Sequence, residues 1–330
     1  MVEQNGNGHS VSSHIPDFNE STSWSQDGIT IAGSKRWGTS LNHLNFPSGL
    51  YVDDDETVFI CDYSNNRVVQ WKDGAKIGEV VIGEGAQEDR TDRLRNPKDI
   101  VYEKATDSFI IADEGNARIA RWSRKNDSGI KTIISDVVAS SIAMDDEGNL
   151  YVCDFERHEV KRWKIGESSG TIVAGGHGKG TRMKQLSHPT CIVVDKDQSV
   201  YVSDWGNHRI VKWEKGATKG IFVAGTHTYH TDPKALADPF GLIVDKSGTI
   251  YVCDWGRHHI VRWESGAPEG RVIIGEGSMG NGANQLYHPI ALALDKKGNF
   301  YVSDYSNNRV QKFMINTNQI TEDPNQITSE

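Results

Sequence analysis

The chain has 330 residues, of which 36% are hydrophobic, and a formal net charge of −9. No run of roughly 18 apolar residues, the length that a membrane-spanning helix needs, occurs in the sequence, so we expect no membrane association. The acidic charge disfavours nucleic acid as a partner, because phosphates attract basic surfaces.

The first segment, residues 1–28, is predicted to be a disordered N-terminal tail. It is rich in Asn, Ser, Gly and Glu and lacks both the basic start and the apolar core of a signal peptide. We therefore expect a cytoplasmic protein. Three cysteines, Cys61, Cys153 and Cys253, recur at one position of separate repeats, too far apart to form disulfides, so reduced thiols are expected.

Residues 29–313 carry six copies of one pattern. An aspartate is followed five residues later by a basic or polar residue and nine residues later by an aromatic one. Spaced 51, 41, 50, 50 and 50 residues apart, the anchor aspartates are Asp62, Asp113, Asp154, Asp204, Asp254 and Asp304. A repeat near 50 residues with several short strand signals is typical of a propeller blade.

Each repeat contains four strand signals separated by Gly, Asp and Asn turns; in the fifth repeat they cover 240–244, 250–253, 259–263 and 271–274. The predicted fold class is therefore an all-β, six-bladed β-propeller with four antiparallel strands per blade. No fourth strand follows Phe313, whereas residues 29–33 match the fourth strands of the other repeats. We predict that this N-terminal strand completes the last blade, and that residues 314–330 form a C-terminal tail.

The best copy of the unit reads Pro-x-x-Ile-x-Val-Asp at 189–195, Tyr-Val-x-Asp at 201–204 and Asn-His-Arg-Ile at 207–210. This unit resembles the NHL repeat. The resemblance spans residues 29–313 and implies a six-bladed propeller. It leaves the function open, because related propellers bind RNA, bind proteins, or carry lyases and hydrolases.

The repeated aspartate and arginine, as in Asp204 and Arg209, are predicted to be structural because a catalytic pair would be unique. The repeated Trp of the third strand is likewise predicted to pack between sheets. Blades three and five depart from the pattern, since Asp154 is followed by Arg157 and Asp254 by His259. We expect these two turns to be held differently.

The residue directly after each anchor aspartate is the first candidate for ligand binding. Five of the six are large aromatics in a polar turn, where exposure to water is unfavourable, and one is an acid. A collar of these residues around the channel mouth could stack a sugar, a base or a peptide aromatic. The collar comprises Tyr63, Glu114, Phe155, Trp205, Trp255 and Tyr305.

A second candidate set precedes the inner strands: Asn96, His188, Asp238 and His288. Imidazole, carboxylate and amide groups suit one divalent metal, calcium or zinc, in the central channel. The amidating lyases that resemble this fold place zinc-binding histidines just after the proline of alternate inner strands. That site is absent here, because those positions are Ser48, Lys98, Thr190, Phe240 and Ile290. The calcium-dependent phosphotriesterases and lactonases use a ring of Asn, Asp and Glu, for which only Asn96, Asp238 and Asp99 are comparable.

The connections into the inner strands are about a dozen residues long, except between blades two and three, where residues 135–139 suffice. Long connections build the walls of a propeller face, so this short one predicts a notch beside Glu114.

Two functions follow. The first is non-catalytic recognition of a protein, peptide or glycan on the long-loop face, by a monomer. The alternative is a metal-dependent hydrolase or lyase at the channel mouth, so whether the protein is an enzyme stays open. RNA binding would depend on the one basic cluster, Lys35, Arg36, Lys179, Arg182 and Lys184.

Overall fold

The computed structural model describes residue 16 and residues 18–83, 93–125, 129–225, 235–275 and 279–316. These residues form six four-stranded antiparallel sheets. The first strands of neighbouring sheets contact one another in a closed circle, so that the sheets are the blades of a propeller. The predicted fold class is confirmed.

The first strand, β1 (Ile29–Gly33), belongs to blade six. Blade one contains β2 (Pro47–Val52), β3 (Val58–Asp62), β4 (Arg67–Trp71) and β5 (Glu79–Ile82), and blade two contains β6 (Pro97–Glu103), β7 (Ser108–Asp113), β8 (Arg118–Ser123) and β9 (Ile130–Ser135). Blade three contains β10 (Ala139–Met144), β11 (Asn149–Asp154), β12 (Glu159–Lys164) and β13 (Thr171–Gly175), and blade four contains β14 (Pro189–Val194), β15 (Val200–Asp204), β16 (Arg209–Trp213) and β17 (Ile221–Gly225). Blade five contains β18 (Pro239–Val244), β19 (Ile250–Asp254), β20 (His259–Trp263) and β21 (Arg271–Ile274), and blade six adds β22 (Pro289–Leu294), β23 (Phe300–Asp304) and β24 (Arg309–Phe313).

In the ranges given above, the helical structure consists of single 3-10 turns between the second and third strands. They cover Tyr63–Asn65, Glu114–Asn116, Trp205–Asn207, Trp255–Arg257 and Tyr305–Asn307. Across the ranges described above, none of the helices has the length and apolar character needed to cross a bilayer.

The core lies between the blades. Val193 and Tyr201 of blade four, for example, pack with Leu242 and Val252 of blade five in one buried cluster. The tryptophans that end the third strands of blades one, three, four and five are buried. Because β-strands alternate their side chains, one face of each sheet meets each neighbour, and the ring has no single centre of packing.

Hydroxyl groups at the start of the inner strands fasten adjacent blades. Each donates to the proline carbonyl of the next blade: Ser48 Oγ to Pro97 O (2.9 Å), Ser140 Oγ to Pro189 O (2.8 Å) and Thr190 Oγ1 to Pro239 O (3.0 Å). The prolines cannot donate from their own nitrogen, so only their carbonyls enter this inter-blade pairing.

The two ends of the propeller meet in blade six, where β1 pairs antiparallel with β24 and the sheet order is β1-β24-β23-β22. The predicted N-terminal closure is therefore confirmed. Ion pairs add a second link between the last blade and the first, since Glu56 of blade one contacts Lys297 and Lys312 of blade six.

The packed chain is longer at both ends than the predicted boundaries. Phe18 and Trp24, which the sequence placed in the tail 1–28, are buried in the core between blades five and six. Trp24 Nε1 donates to Gly298 O at 2.8 Å, and Trp24 forms a β-bridge with Ile315, inside the predicted tail 314–330. The prediction for residues 1–28 is based on their average composition, which is polar and does not reveal the two aromatic residues. Residues 1–15, 17 and 317–330, the remainder of both predicted tails, lie outside the described residues.

Deleting residues 1–34 should lower the melting temperature or cause aggregation. The deletion removes β1 and leaves the edge of β24 unpaired. Deleting residues 318–330 should change the melting temperature little. Differential scanning calorimetry of both truncations measures this, and equal behaviour of the two would contradict the closure.

Trp24→Ala should lower the free energy of unfolding by about 3–5 kcal/mol, because the side chain is 2% exposed and its loss leaves a cavity. Trp37→Ala is the matched control, since Trp37 is 71% exposed; its effect should stay within about 0.5 kcal/mol. Urea denaturation of both variants provides the comparison. A small loss for Trp24→Ala would show that residues 18–28 contribute little to stability.

Candidate ligand site at the channel mouth

A buried ion pair of aspartate and arginine orders the turn between the second and third strands in blades one, two, four and six. In blade four, Asp204 accepts hydrogen bonds from Ser187 N (2.6 Å), Asn207 Nδ2 (2.7 Å) and Arg209 Nε (2.7 Å). Arg209 also donates to Thr181 O at 2.7 Å, in the connection that precedes the blade. The same arrangement recurs in blades one and six, so the aspartate and arginine fix the turn and the long loop together.

Blades three and five hold their turns differently, as the sequence predicted. In blade three, Arg157 Nη1 contacts Asp154 Oδ2 at 2.7 Å from within the turn itself, where no 3-10 helix forms. In blade five, His259 Nε2 lies 3.7 Å from Asp254 Oδ2.

All six collar residues are half-buried in these turns. Several of them contact a residue at the start of the inner strand of the next blade. The ring of Trp255 stacks on His288 at 3.9 Å between centroids and an interplanar angle of 10°. Tyr305 contacts Phe46 at 4.7 Å. The two candidate sets are therefore spatially interleaved around the mouth.

Six rings form a continuous series along the mouth, from blade three to blade six. We call this series the aromatic arc; it comprises Phe155, His188, Trp205, Phe240, Trp255 and His288. Successive ring centroids from Phe155 to Trp255 are 4.9, 5.9, 6.2 and 6.0 Å apart, and the stacked pair described above completes the series.

The opposite side of the mouth is polar. Glu114 forms a hydrogen bond with the Tyr63 hydroxyl, and burial together with this carboxylate raises the pKa of Tyr63. Lys98 Nζ lies 5.2 Å from the centre of the Tyr63 ring. Of the described side chains, Glu114 Oε2 and Trp205 Nε1 are buried at the mouth with no hydrogen-bond partner. Leaving such an atom unpaired costs about 1–3 kcal/mol, which a bound hydroxyl group can offset.

Three of the four predicted metal ligands, each directly before an inner-strand proline, have a left-handed backbone. The φ angles of Asn96, His188 and His288 are +50°, +49° and +55°, a conformation that costs on the order of 1–3 kcal/mol for a non-glycine residue. Their backbone N–H groups donate across the blade boundary, for example from His288 to His258 Nδ1 at 3.3 Å and from Asn96 to Asn66 Oδ1 at 2.9 Å. These inter-blade bonds stabilise the strained backbone.

The arc histidines are neutral at pH 7. Burial and the neighbouring His258 lower the pKa of His288 to about 4. Burial and nearby Lys179 lower the pKa of His188, and burial lowers that of His258. Because His258 Nδ1 accepts a backbone hydrogen bond, that nitrogen must be unprotonated. The arc is therefore an uncharged surface.

The four predicted metal ligands do not form a ligand set. Asp238 Oδ1 faces His208 Nδ1 at 3.9 Å, Asn96 Nδ2 donates to Tyr63 O at 3.3 Å, and His288 Nδ1 pairs with Ser306 Oγ at 2.9 Å. Within the described ranges, no three His, Cys, Asp or Glu side chains are placed to hold a metal ion. In this arrangement the four side chains are not gathered around one point, as the predicted calcium or zinc would require.

The central channel below the mouth is too narrow for a ligand. Its cavity has a volume of about 60 Å³, room for only a few water molecules. Asp99 lies there with its Oδ2 accepting from Ser141 Oγ (2.8 Å) and Ile142 N (2.9 Å). The carboxylate is thus occupied within the wall, and a ligand must bind above it.

Sequence reasoning missed three contributors. Phe240 entered only as a departure from a lyase pattern, yet it joins the rings of Trp205 and Trp255. His158 and His258 were not singled out, although their position, four residues after the anchor aspartate, was visible as the repeated Asn or His.

The family model for the NHL repeat matches residues 44–71, 138–163, 186–213 and 286–313. No curated protein sequence matches the chain. Among solved structures, a protein of unknown function from Bacteroides thetaiotaomicron VPI-5482 is similar at 16% identity, with a TM-score of 0.70 over 88% of this chain and 76% of the other.

Two further structures share the architecture. An auxiliary nutrient binding protein from Bacteroides thetaiotaomicron VPI-5482 is 14% identical, with a TM-score of 0.67 over 87% of this chain and 76% of the other. Virginiamycin B lyase from Staphylococcus aureus is 12% identical, with a TM-score of 0.57 over 87% of this chain and 98% of the other. At such identities the likeness concerns the fold alone.

Acidification should destabilise the protein through His288. Its pKa is about 4 in the folded chain against 6.5 for an ordinary histidine, so the unfolded chain binds more protons between these values. Stability should therefore fall as the pH drops through this range. Thermal melts at pH 7 and pH 5 should show a smaller loss for His288→Phe, which keeps a ring against Trp255 but cannot titrate. An NMR titration midpoint of 6.5 or above for His288 would contradict the assignment.

Proposed function

We propose that this six-bladed propeller of NHL repeats is a non-catalytic recognition protein that binds a carbohydrate chain at the channel mouth. The observation that carries the proposal is the aromatic arc, an uncharged series of six rings beside a polar rim. Sugars offer flat C–H faces that stack on aromatic rings and hydroxyl groups that both donate and accept hydrogen bonds. Glu114 Oε2 needs a donor and Trp205 Nε1 needs an acceptor, which matches this dual character.

The geometry favours a ligand that extends along the mouth. The arc covers four consecutive blades, so that successive sugar units could contact successive rings, and the narrow channel below keeps the ligand at the surface. The nutrient binding proteins of similar fold support a binding role without specifying this ligand. We further propose that the protein is a cytoplasmic monomer without affinity for nucleic acid.

The alternative is a metal-dependent hydrolase or lyase at the same mouth. Its support is the presence of two neutral histidines, His188 and His288, and a fold shared with virginiamycin B lyase. Elemental analysis of the purified protein separates the two functions, because the enzyme requires about one tightly bound metal per chain. Recognition of a carbohydrate requires none.

Trp255→Ala should weaken binding of the best oligosaccharide from an immobilised glycan panel. The loss should be about 1–3 kcal/mol, the range measured when a base loses an aromatic stacking partner. Isothermal titration calorimetry measures it. Folding should be unaffected, since Trp255 is half-buried in a surface turn.

Ile77→Ala is the control, because Ile77 is an exposed residue in a turn on the opposite face and should leave affinity unchanged. Trp255→Phe should restore part of the lost affinity. Equal binding by wild type and Trp255→Ala, or no binding to any glycan of the panel, would contradict the proposal.

A further inference from the structure

The short connection between blades two and three leaves a groove on the outer side of the ring. The groove has a volume of about 520 Å³ and runs between β9 and the outer strands of blade three. We call it the blade-three groove and define it by Ile133, Ile134, Arg157, Lys161 and Trp163. It is separate from the aromatic arc.

The long connections show what fills this place in other blades. In blade four, the Arg209 guanidinium donates to the carbonyls of Thr181, Arg182 and Gln185, at 2.7, 3.3 and 3.1 Å. Gly220 N donates to the carbonyl of Met183 at 2.7 Å. A six-residue segment of main chain, residues 180–185, is thus bound mainly through its carbonyl groups.

Blades one and six bind the equivalent segments in the same way. Arg67 donates to the carbonyls of Ser40 and His43, and Gly78 N donates to Leu41 O at 2.8 Å. In blade six the receiving carbonyls belong to Asn281, Gly282, Ala283 and Gln285. The segments differ in side chains, reading GTSLNH, GTRMKQ and GNGANQ, so the main chain is what is recognised.

Blade three has lost this segment but keeps cationic donors facing its place. The Arg157 side chain is 54% exposed, against 1% for the covered Arg209. Lys161, paired with Glu159, supplies a second cation to the groove lining. Gly170, the equivalent of Gly220 at the start of the fourth strand, also lines the groove.

The floor of the groove is apolar. An apolar floor is what a bound segment with one buried side chain, such as Met183 of the blade-four segment, needs as a packing surface. Trp163, Ile133 and Ile134 line it, in the region where Met183 lies in blade four. Val137 is buried in the short connection, as Leu186 is near the end of the long one. The part of the long connection that blade three lacks is therefore the stretch before Leu186.

A neighbouring groove provides an internal comparison. Between β13 and the outer part of blade four, a groove of about 570 Å³ is lined by Val173 and Trp213. It does not reach the anchor Asp204, which the long connection covers, whereas the blade-three groove extends inward to Asp154. The depth of the blade-three groove thus comes from the missing segment.

We propose that the blade-three groove binds a short peptide segment of a partner protein, which replaces in trans the loop segment that the other blades carry in cis. The segment presents main-chain carbonyls to Arg157, Lys161 and Gly170 N, and one unbranched or γ-branched apolar side chain, Met or Leu, to Trp163. Among the junctions between blades that the structure describes in full, only this one combines a short connection, an exposed cation and an apolar floor.

The probe is a peptide with the sequence of residues 179–187, acetylated and amidated at its ends and labelled for fluorescence polarisation. It should bind the intact protein, and Ile133→Lys should weaken binding by about tenfold, equivalent to 1.4 kcal/mol. Val173→Lys places the same change at the matched strand position of the neighbouring groove and should have no effect. A peptide with Met183 replaced by Asp should bind no better than a scrambled one.

A graft tests the geometry directly. Inserting residues 180–185 between Asp136 and Val137 should fill the groove in cis, abolish binding of the probe and leave oligosaccharide binding at the mouth intact. Lack of binding at about 1 mM, equal loss in Ile133→Lys and Val173→Lys, or unchanged binding to a folded graft would overturn the proposal. Concentration-dependent dimerisation abolished by Ile133→Lys would assign the groove to a second copy of this chain instead.

Discussion

The buried pairing of an aspartate with an arginine is the interaction on which the functional face depends. Asp62, Asp204 and Asp304 each pair with a side chain that is 1% exposed. A buried carboxylate that loses its partner destabilises a protein by about 3–5 kcal/mol, so neither charge can be dispensed with. The guanidinium also donates to carbonyls of the connection that precedes the blade. The same ion pair therefore holds both that connection and the turn that carries the collar residue. Where the pair is altered, in blades three and five, the local surface differs as well.

The architecture could be predicted from the sequence because the same strand pattern occurs six times, and six agreeing copies outweigh the ambiguity of any single one. The strand at 29–33 could be assigned because only the last blade lacked a fourth strand. The structural roles of the Asp–Arg pair and of the strand-three tryptophans followed from the same repetition. The short connection, likewise, was visible as a spacing of 41 residues.

The site itself was predicted only in part. Collar and pre-proline residues were identified separately, but their contacts cross blade boundaries, as between Trp255 and His288, and no local spacing encodes them. The left-handed backbone of His188 and His288 directs each toward a neighbouring ring rather than toward a shared metal, and sequence periodicity does not report φ. Phe18 and Trp24 were missed because burial depends on a partner surface some 250 residues away, at Tyr251 and Phe300.

The pairing of β1 with β24 has a consequence for the growing chain. Residue 29 leaves the ribosome about 280 residues before residue 312, its ladder partner in blade six, an interval of roughly 15–60 s at ordinary translation rates. Throughout that time β1 is an apolar strand without a sheet. Blades one to five can form in succession, yet the circle closes only when the final strand appears, so that a nascent chain passes through a long-lived open ring with two unpaired edges. The interval before β24 emerges is therefore the time at which β1 is most exposed to misassembly.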